Sequence, residues 1–156
     1  PQPVTANFAP YLLERAQMYM NNDQARNAML DYDAYYNAVN GQVNDLFYYY
    51  REQAALKARQ YQRALDDIVK AIELSPKDLT YRAEHAVVNL RVGRYEESMK
   101  ILNEILKDEP KYAEAYRLLG LCQIQLKKTD EACGNFNKAK ELGDPNVDEL
   151  IKKYCK

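Results

Sequence analysis

The stretches YQRALDDIVKAIELSP (residues 61–76), YEESMKILNEILKDEP (residues 95–110) and TDEACGNFNKAKELGDP (residues 129–145) decide the fold. Each places apolar or small residues at helical spacing and ends on a proline. Pro76 and Pro110 lie 34 positions apart, and Pro145 follows 35 later. Aligned on the prolines, the stretches superpose Tyr61, Tyr95 and Thr129, then Ala64, Ser98 and Ala132, then Ile68, Leu102 and Phe136, then Ala71, Ile105 and Ala139. A fixed period of this length is the signature of stacked helical hairpins, each too small to bury its apolar face alone.

Working outward, apolar spacing and Gly or Pro stops predict about nine helices, over 9–21, 24–39, 43–58, 61–74, 79–92, 95–108, 113–127, 129–141 and 146–154. Ser75 with Pro76 and Glu109 with Pro110 end helices because proline lacks the donor and drives its predecessor out of the α region. Gly143 and Gly41 offer the left-handed conformation that closes a helix. Every connection is short, so consecutive helices are expected to be antiparallel neighbours.

Composition bounds the function. With 156 residues, 47% hydrophobic and 29% charged, the chain can bury a core as one globular domain over 1–156. A net charge of −1 with both signs interspersed argues against a nucleic-acid partner, which needs a basic surface. No apolar run approaches the length of a membrane span, and no signal-peptide pattern opens the chain. The first residue is Pro1 rather than Met, which points to a processed form or a piece of something longer.

The hairpins from Asp45 to Pro145 resemble tetratricopeptide repeats, of bacterial type or as a fragment of a longer protein. The last carries the pattern best, with Tyr116, Leu119, Gly120, Ala132, Phe136 and Ala139. The middle one keeps Ala86, Ser98, Leu102, Ile105 and Pro110, and the first keeps Tyr48, Ala64, Ile68, Ala71 and Pro76. A degenerate repeat at 9–42 places Ala16, Tyr19, Ala28 and Tyr32 in the pattern, ahead of repeats at 45–78, 79–112 and 113–146 and a capping helix at 146–154. The resemblance implies an all-α, right-handed solenoid of about four hairpins plus that cap. Ala16, Ala86 and Gly120 are expected to face Ala28, Ser98 and Ala132, letting paired backbones approach.

What the resemblance implies for function is a non-catalytic module that binds a protein or peptide in a groove lined by the first helix of each hairpin. Carried onto this chain, the groove takes Leu13, Gln17, Met20, Tyr49, Gln53, Leu56, Lys57, Ala83, Val87, Leu90, Arg91, Arg117, Leu121 and Ile124. The alternative is a structural segment whose groove is filled internally or by self-association. Members that hold acidic chaperone tails use Lys, Asn and Arg at defined groove positions. Here those positions carry Leu13 with Gln17, Tyr49 with Gln53, Glu84, and Glu114 with Leu118, so that clamp is absent.

No cofactor or metal is implied. His85 is the only histidine and reads as structural, and neither a Gly-rich phosphate loop nor a nucleophile elbow is present. Among the 14 tyrosines, Tyr48 reads as a core anchor, with Tyr49 and Tyr50 turning toward the groove. Glu52 stands where the other hairpins have Ala or Gly, which aims a carboxylate at a tight crossing. Of three cysteines, Cys133 and Cys155 are a candidate disulfide with Cys122 left as a buried thiol, and three reduced thiols are the equal alternative. A bridge would favour an extracytoplasmic compartment.

Overall fold

The computed structural model describes residues 6–156; Pro1, on which the reading of a processed or excised chain rests, lies outside them. A short 3-10 turn, Ala6–Phe8, leads into α1 (Ala9–Asn21), α2 (Ala25–Ala38), α3 (Asp45–Lys57), α4 (Tyr61–Leu74), α5 (Leu79–Arg91), α6 (Tyr95–Asp108), α7 (Ala113–Gln125), α8 (Thr129–Glu141) and α9 (Asp148–Tyr154). Among the described residues there is no strand, so the all-α expectation holds. Boundaries differ from expectation by a residue or two, and at the start of α3 local chemistry explains the difference. α3 begins at Asp45 rather than 43 because Asn44 is its N-cap, accepting from the Phe47 amide at 3.0 Å. Asp78 caps α5 the same way through the Tyr81 amide at 3.1 Å.

Packing divides the chain into two compact units, Pro1–Pro76 and Lys77–Lys156. In the first unit α1 pairs with α2 and α3 with α4, and α2 packs on α3. In the second, α5 pairs with α6 and α7 with α8, α6 packs on α7, and α9 lies on α8.

One turn geometry builds all four hairpins. The residues Asp23, Arg59, Gly93 and Lys127 all have φ between 56° and 83°, in the left-handed region. The amide that follows each reaches back to a carbonyl five residues earlier: Gln24 to Tyr19 and Gln60 to Ala55 at 2.8 Å, Arg94 to Asn89 and Lys128 to Gln123 at 2.9 Å. This satisfies helix-end carbonyls that would otherwise be orphaned. Between hairpins the device changes to proline. Ser75 and Glu109 are pushed to φ of −140° and −133° by the Pro that follows each.

Small residues then set the helix separation. Ala16, Ala28, Ala64, Ala86, Ser98 and Ala132 are completely buried. Ser98 donates its hydroxyl to the Ala86 carbonyl at 2.7 Å, so that crossing closes as expected. At Gly120 the close neighbour is the ring of Phe136, which a Cβ would meet at 2.4 Å. The glycine therefore exists to seat an aromatic ring. Around these crossings the second unit buries Leu102, Ile105, Leu118 and Leu119 in one cluster and Phe136 with Val147 in another. Full burial of each large side chain contributes about 1.5–3 kcal/mol before entropy is counted.

The shared turn can be tested by exchange at two of its sites. Gly93→Ala places a Cβ in the left-handed region and is expected to cost about 1 kcal/mol, whereas Lys127→Gly relieves that strain and gains roughly 0.5 kcal/mol. Urea unfolding of both variants measures the difference; equal effects would mean the turn is not strained at Lys127.

Candidate functional site

The first unit is organised around aromatic rings. Phe47, at the first turn of α3, is 6% exposed and is ringed by Tyr32, Tyr35, Tyr36 and Tyr48 with centroids 5.5–6.0 Å away. Phe47 thus holds the core place that helical phase suggests for Tyr48, which is half-buried beside it with its hydroxyl pKa raised by burial. The Arg51 guanidinium lies 4.9–6.0 Å over the rings of Tyr36, Phe47 and Tyr48.

Arg51 is also half of a clasp that repeats. It donates to both carboxylate oxygens of Asp67 at 2.8 and 2.9 Å, across the α3–α4 hairpin. Arg15 does the same to Asp31 across α1–α2, at 2.7 Å for both bonds. That partner lifts the Arg15 guanidinium above its ordinary pKa, and Asp33 extends the second clasp by accepting from Arg51 and Arg63. The signal was present in the sequence: an Arg followed sixteen residues later by an Asp occurs in both hairpins at the same register. In the second unit His85 and Leu119 fill the arginine's place.

Beside the rings a cavity of about 720 Å³ opens between α1, α2 and the start of α3. Its walls are Leu13 and Gln17 of α1, Tyr32 and Tyr35 of α2, Gly41, Gln42, Val43 and Asn44 of the connection, and Leu46, Phe47 and Tyr50 of α3. None of these side chains is charged. Tyr50 and Leu46 are 43% and 46% exposed at its mouth, while Tyr32 is buried and its hydroxyl is pushed up to about 12 by burial and the nearby Tyr50. The connecting loop is shaped by Asn40 and Gly41, both at positive φ, where a Cβ on Gly41 would meet the Tyr36 hydroxyl at 2.9 Å.

Of the groove residues expected from sequence, Leu13 and Gln17 line this cavity. Tyr49 is half-buried next to Tyr50, their ring centroids 5.6 Å apart, and Gln53 and Leu56 are half-buried along α3. Lys57 is exposed and pairs with Asp23 at 3.8 Å. In the second unit Val87, Leu90 and Leu121 pack against the core cluster of α5–α7, and Leu121 with Ile124 against that of α8. Ala83 is itself core. Arg91 is exposed, whereas Arg117 is half-buried and bonded to Asp144 at 2.8 Å and Glu114 at 3.3 Å. Tyr50, which helical phase turns toward the groove, lines the cavity as well, whereas Leu46 and the loop 41–44 are walls that sequence reading missed.

Glu52 is fully buried in the second hairpin. His85 titrates low because of burial, and among the described residues no three His, Cys, Asp or Glu side chains gather as a metal site. Cys133 and Cys155 are bridged, with Cα atoms 5.7 Å apart, and Cys122 is a buried free thiol pushed up by burial.

A family model described as Tetratricopeptide repeat matches residues 55–122 and 89–133, together just over half of the sequence. The chain belongs to the tetratricopeptide repeat family. Among curated relatives, heat shock protein STI1 of Saccharomyces cerevisiae is 32% identical over 101 residues, 62% of this chain and 17% of its own length. The small glutamine-rich tetratricopeptide repeat-containing protein 2 of Mycosarcoma maydis is 29% identical over 99 residues, 64% of this chain and 28% of its own. The chain therefore spans less than a third of either relative. Among solved structures, YrrB, a tetratricopeptide protein with an unusual peptide-binding site, superposes with a TM-score of 0.75 at 19% identity, covering 93% of this chain and 74% of that one. The first repeat domain of Spaghetti (RPAP3), bound to the HSP90 peptide SRMEEVD, gives 0.62 at 19% identity, covering 71% and 90%. At these identities the structural likeness is one of fold.

Two experiments probe the charges of this tetratricopeptide chain. Arg51 and Asp67 are 12% and 6% exposed, so Arg51→Met alone should cost about 3 kcal/mol by stranding a carboxylate. Arg51→Met with Asp67→Leu should recover most of that loss in chemical denaturation. The Glu84 carboxyl has its pKa raised by burial and by Glu114. Its share of stability is thus full below the unfolded pKa and falls as pH rises through the folded one. Glu84→Gln should raise the Tm by about 2 °C at pH 7 and leave it unchanged at pH 4.

Proposed function

We propose that this chain is a non-catalytic protein-interaction module that holds a linear peptide by seating a bulky uncharged side chain in the aromatic cavity of the first unit. The observation that carries this reading is the chemistry of the cavity wall: four aromatic rings and three aliphatic side chains, with amides but no charge. A pocket of this volume and lining suits an apolar side chain, and its amide and hydroxyl groups suit the peptide backbone beside it. The distribution of exposed apolar surface supports the same unit. Phe8, Tyr11, Met18, Leu30, Leu46, Tyr50, Tyr61, Val69 and Leu74, the most exposed large apolar side chains among the described residues, all lie before Pro76. Surface of that kind, gathered in one part of a chain, marks an interaction face.

The peptide bound by the RPAP3 domain is acidic, and the wall here offers no cation to such a segment. Leu13 and Gln17 contribute bulk and an amide, and Tyr49, Gln53, Leu56 and Lys57 extend the face along α3. In the second unit Glu84 and Glu114 carry the wrong sign for an acidic tail, and Arg117 is engaged by Asp144. Val87, Leu90, Leu121 and Ile124, with Arg91 as the exposed cation, belong to a face of the second unit by itself.

Random-peptide display against the protein tests the reading. Selected sequences should share one Leu, Ile, Phe or Tyr without flanking acidic residues, and in amide NMR they should shift Leu13, Tyr32, Val43, Leu46 and Tyr50. Leu13→Glu with Tyr50→Glu should weaken binding by at least about tenfold. SRMEEVD itself should leave the spectrum unmoved at millimolar concentration. Selection of acidic tails, or shifts confined to the second unit, would refute the proposal.

A further inference from the structure

The end of the second unit is built differently from the rest of the chain. α9 has only seven residues, two turns, which is too short to hold a helix without outside support. Two things supply that support. Leu150, Ile151 and Tyr154 lie against Ala132, Phe136, Ala139 and Val147, with the Tyr154 ring stacked 6.4 Å from Phe136. The Cys133–Cys155 bridge then ties the residue that follows α9 back to the first half of α8, across 22 residues of sequence. Both bridged cysteines are partly exposed.

The segment before α9 is anchored independently. Asp144 is buried, bonded by Arg117 at 2.8 Å, and accepts from the Asn146 amide at 2.7 Å; Val147 is fully enclosed. A break in the bridge would therefore free the chain from Asp148 onward and leave the 144–147 segment in place. The third cysteine takes no part. Cys122 packs with Leu118 and Leu119 in the cluster of α5, α6 and α7, while Cys133 is bridged to Cys155 of the C-terminal segment. Its buried thiol is pushed to high pKa, which keeps it protonated and poor at attacking a disulfide.

We propose that the Cys133–Cys155 bridge is a reducible latch on α9: a dithiol reductant opens it, α9 detaches from Asp148, and the apolar seat around Phe136 is exposed. The chemistry balances as exchange. One thiolate of the reductant attacks a sulfur of the bridge and forms a mixed disulfide while the other protein sulfur leaves as a thiolate. The second reductant thiol displaces the first protein sulfur. The reductant ends as a disulfide and the protein as two thiols, for two electrons and two protons transferred.

The test compares the full chain oxidised, reduced with dithiothreitol, and as Cys133→Ser with Cys155→Ser. Amide exchange should accelerate at least about tenfold over Ile151–Cys155 in the reduced chain and in the double variant, while Leu102 and Ile105 keep their protection. Native-state alkylation after reduction should label Cys133 and Cys155 and spare Cys122. Equal exchange of α9 in all three forms would overturn the latch, since packing alone would then hold the helix. Exchange that rises throughout the second unit would also overturn it, because the bridge would then be a general stabiliser. Two cysteines that stay open to alkylation after mild oxidation would overturn it at the outset.

Discussion

The two helices of a hairpin bury their apolar stripes most closely where little side-chain volume stands between the backbones. That constraint governs the structure. The Ser98 hydroxyl on the Ala86 carbonyl and the Phe136 ring seated at Gly120 are two ways of meeting it, and Ala16 and Ala28 of the first hairpin are both fully buried. The Gly120 case shows how little slack exists. A single methyl group there would stand 2.4 Å from a carbon of the fully buried Phe136 ring. Such crowding costs more than a gained methyl contact returns. The left-handed turn at Asp23, Arg59, Gly93 and Lys127 follows from the same demand. It reverses the chain in few residues while satisfying the carbonyls of the first helix, so the second helix starts already close.

The first unit meets the constraint with charge as well as size. Arg15 with Asp31 and Arg51 with Asp67 each join the two helices of a hairpin by a two-bond clasp. Desolvating such a pair offsets much of its attraction, so its value lies in fixing geometry more than in net stability. Glu52 is enclosed in the same hairpin at the small-residue position, which makes the interior of the first unit unusually polar. The rings around Phe47 are the apolar counterpart, and the Arg51 guanidinium stacked over them joins the two systems.

The sequence carried the hairpins clearly and the cavity poorly, for a physical reason. Proline spacing, small residues and helical periodicity are local patterns that force a particular backbone, so α4, α6 and α8 could be placed to the residue. The bridge was legible as one of two alternatives, because facing helices bring Cys133 and Cys155 to the same level. The cavity is made where α1 and α2 meet the loop 41–44 and the start of α3, and its walls depend on how Asn40 and Gly41 turn the chain. No periodicity describes that junction. Leu13 and Gln17 were reached through the repeat pattern and Tyr50 through helical phase, whereas Leu46 was lost because α3 begins at the Asn44 cap and presents Phe47 inward. The Arg–Asp clasp was readable at its constant spacing, but a repeat defined by apolar residues hides a charged pair that repeats only twice.

The two units therefore answer the same packing problem with opposite surfaces. In the second, the last apolar stripe is covered by α9 and the cover is tied down covalently, and no large apolar side chain among its described residues is strongly exposed. In the first, α1 leaves Tyr11 and Met18 more than half exposed and the rings around Phe47 open into a cavity. Apolar surface left in water weakens a fold that could otherwise bury it. A family whose hairpins all share one core pattern has no folding reason to concentrate that cost in a single unit. Under the proposed function, a partner covering the open rings would restore the lost burial, and binding and the stability of the first unit would draw on the same contacts.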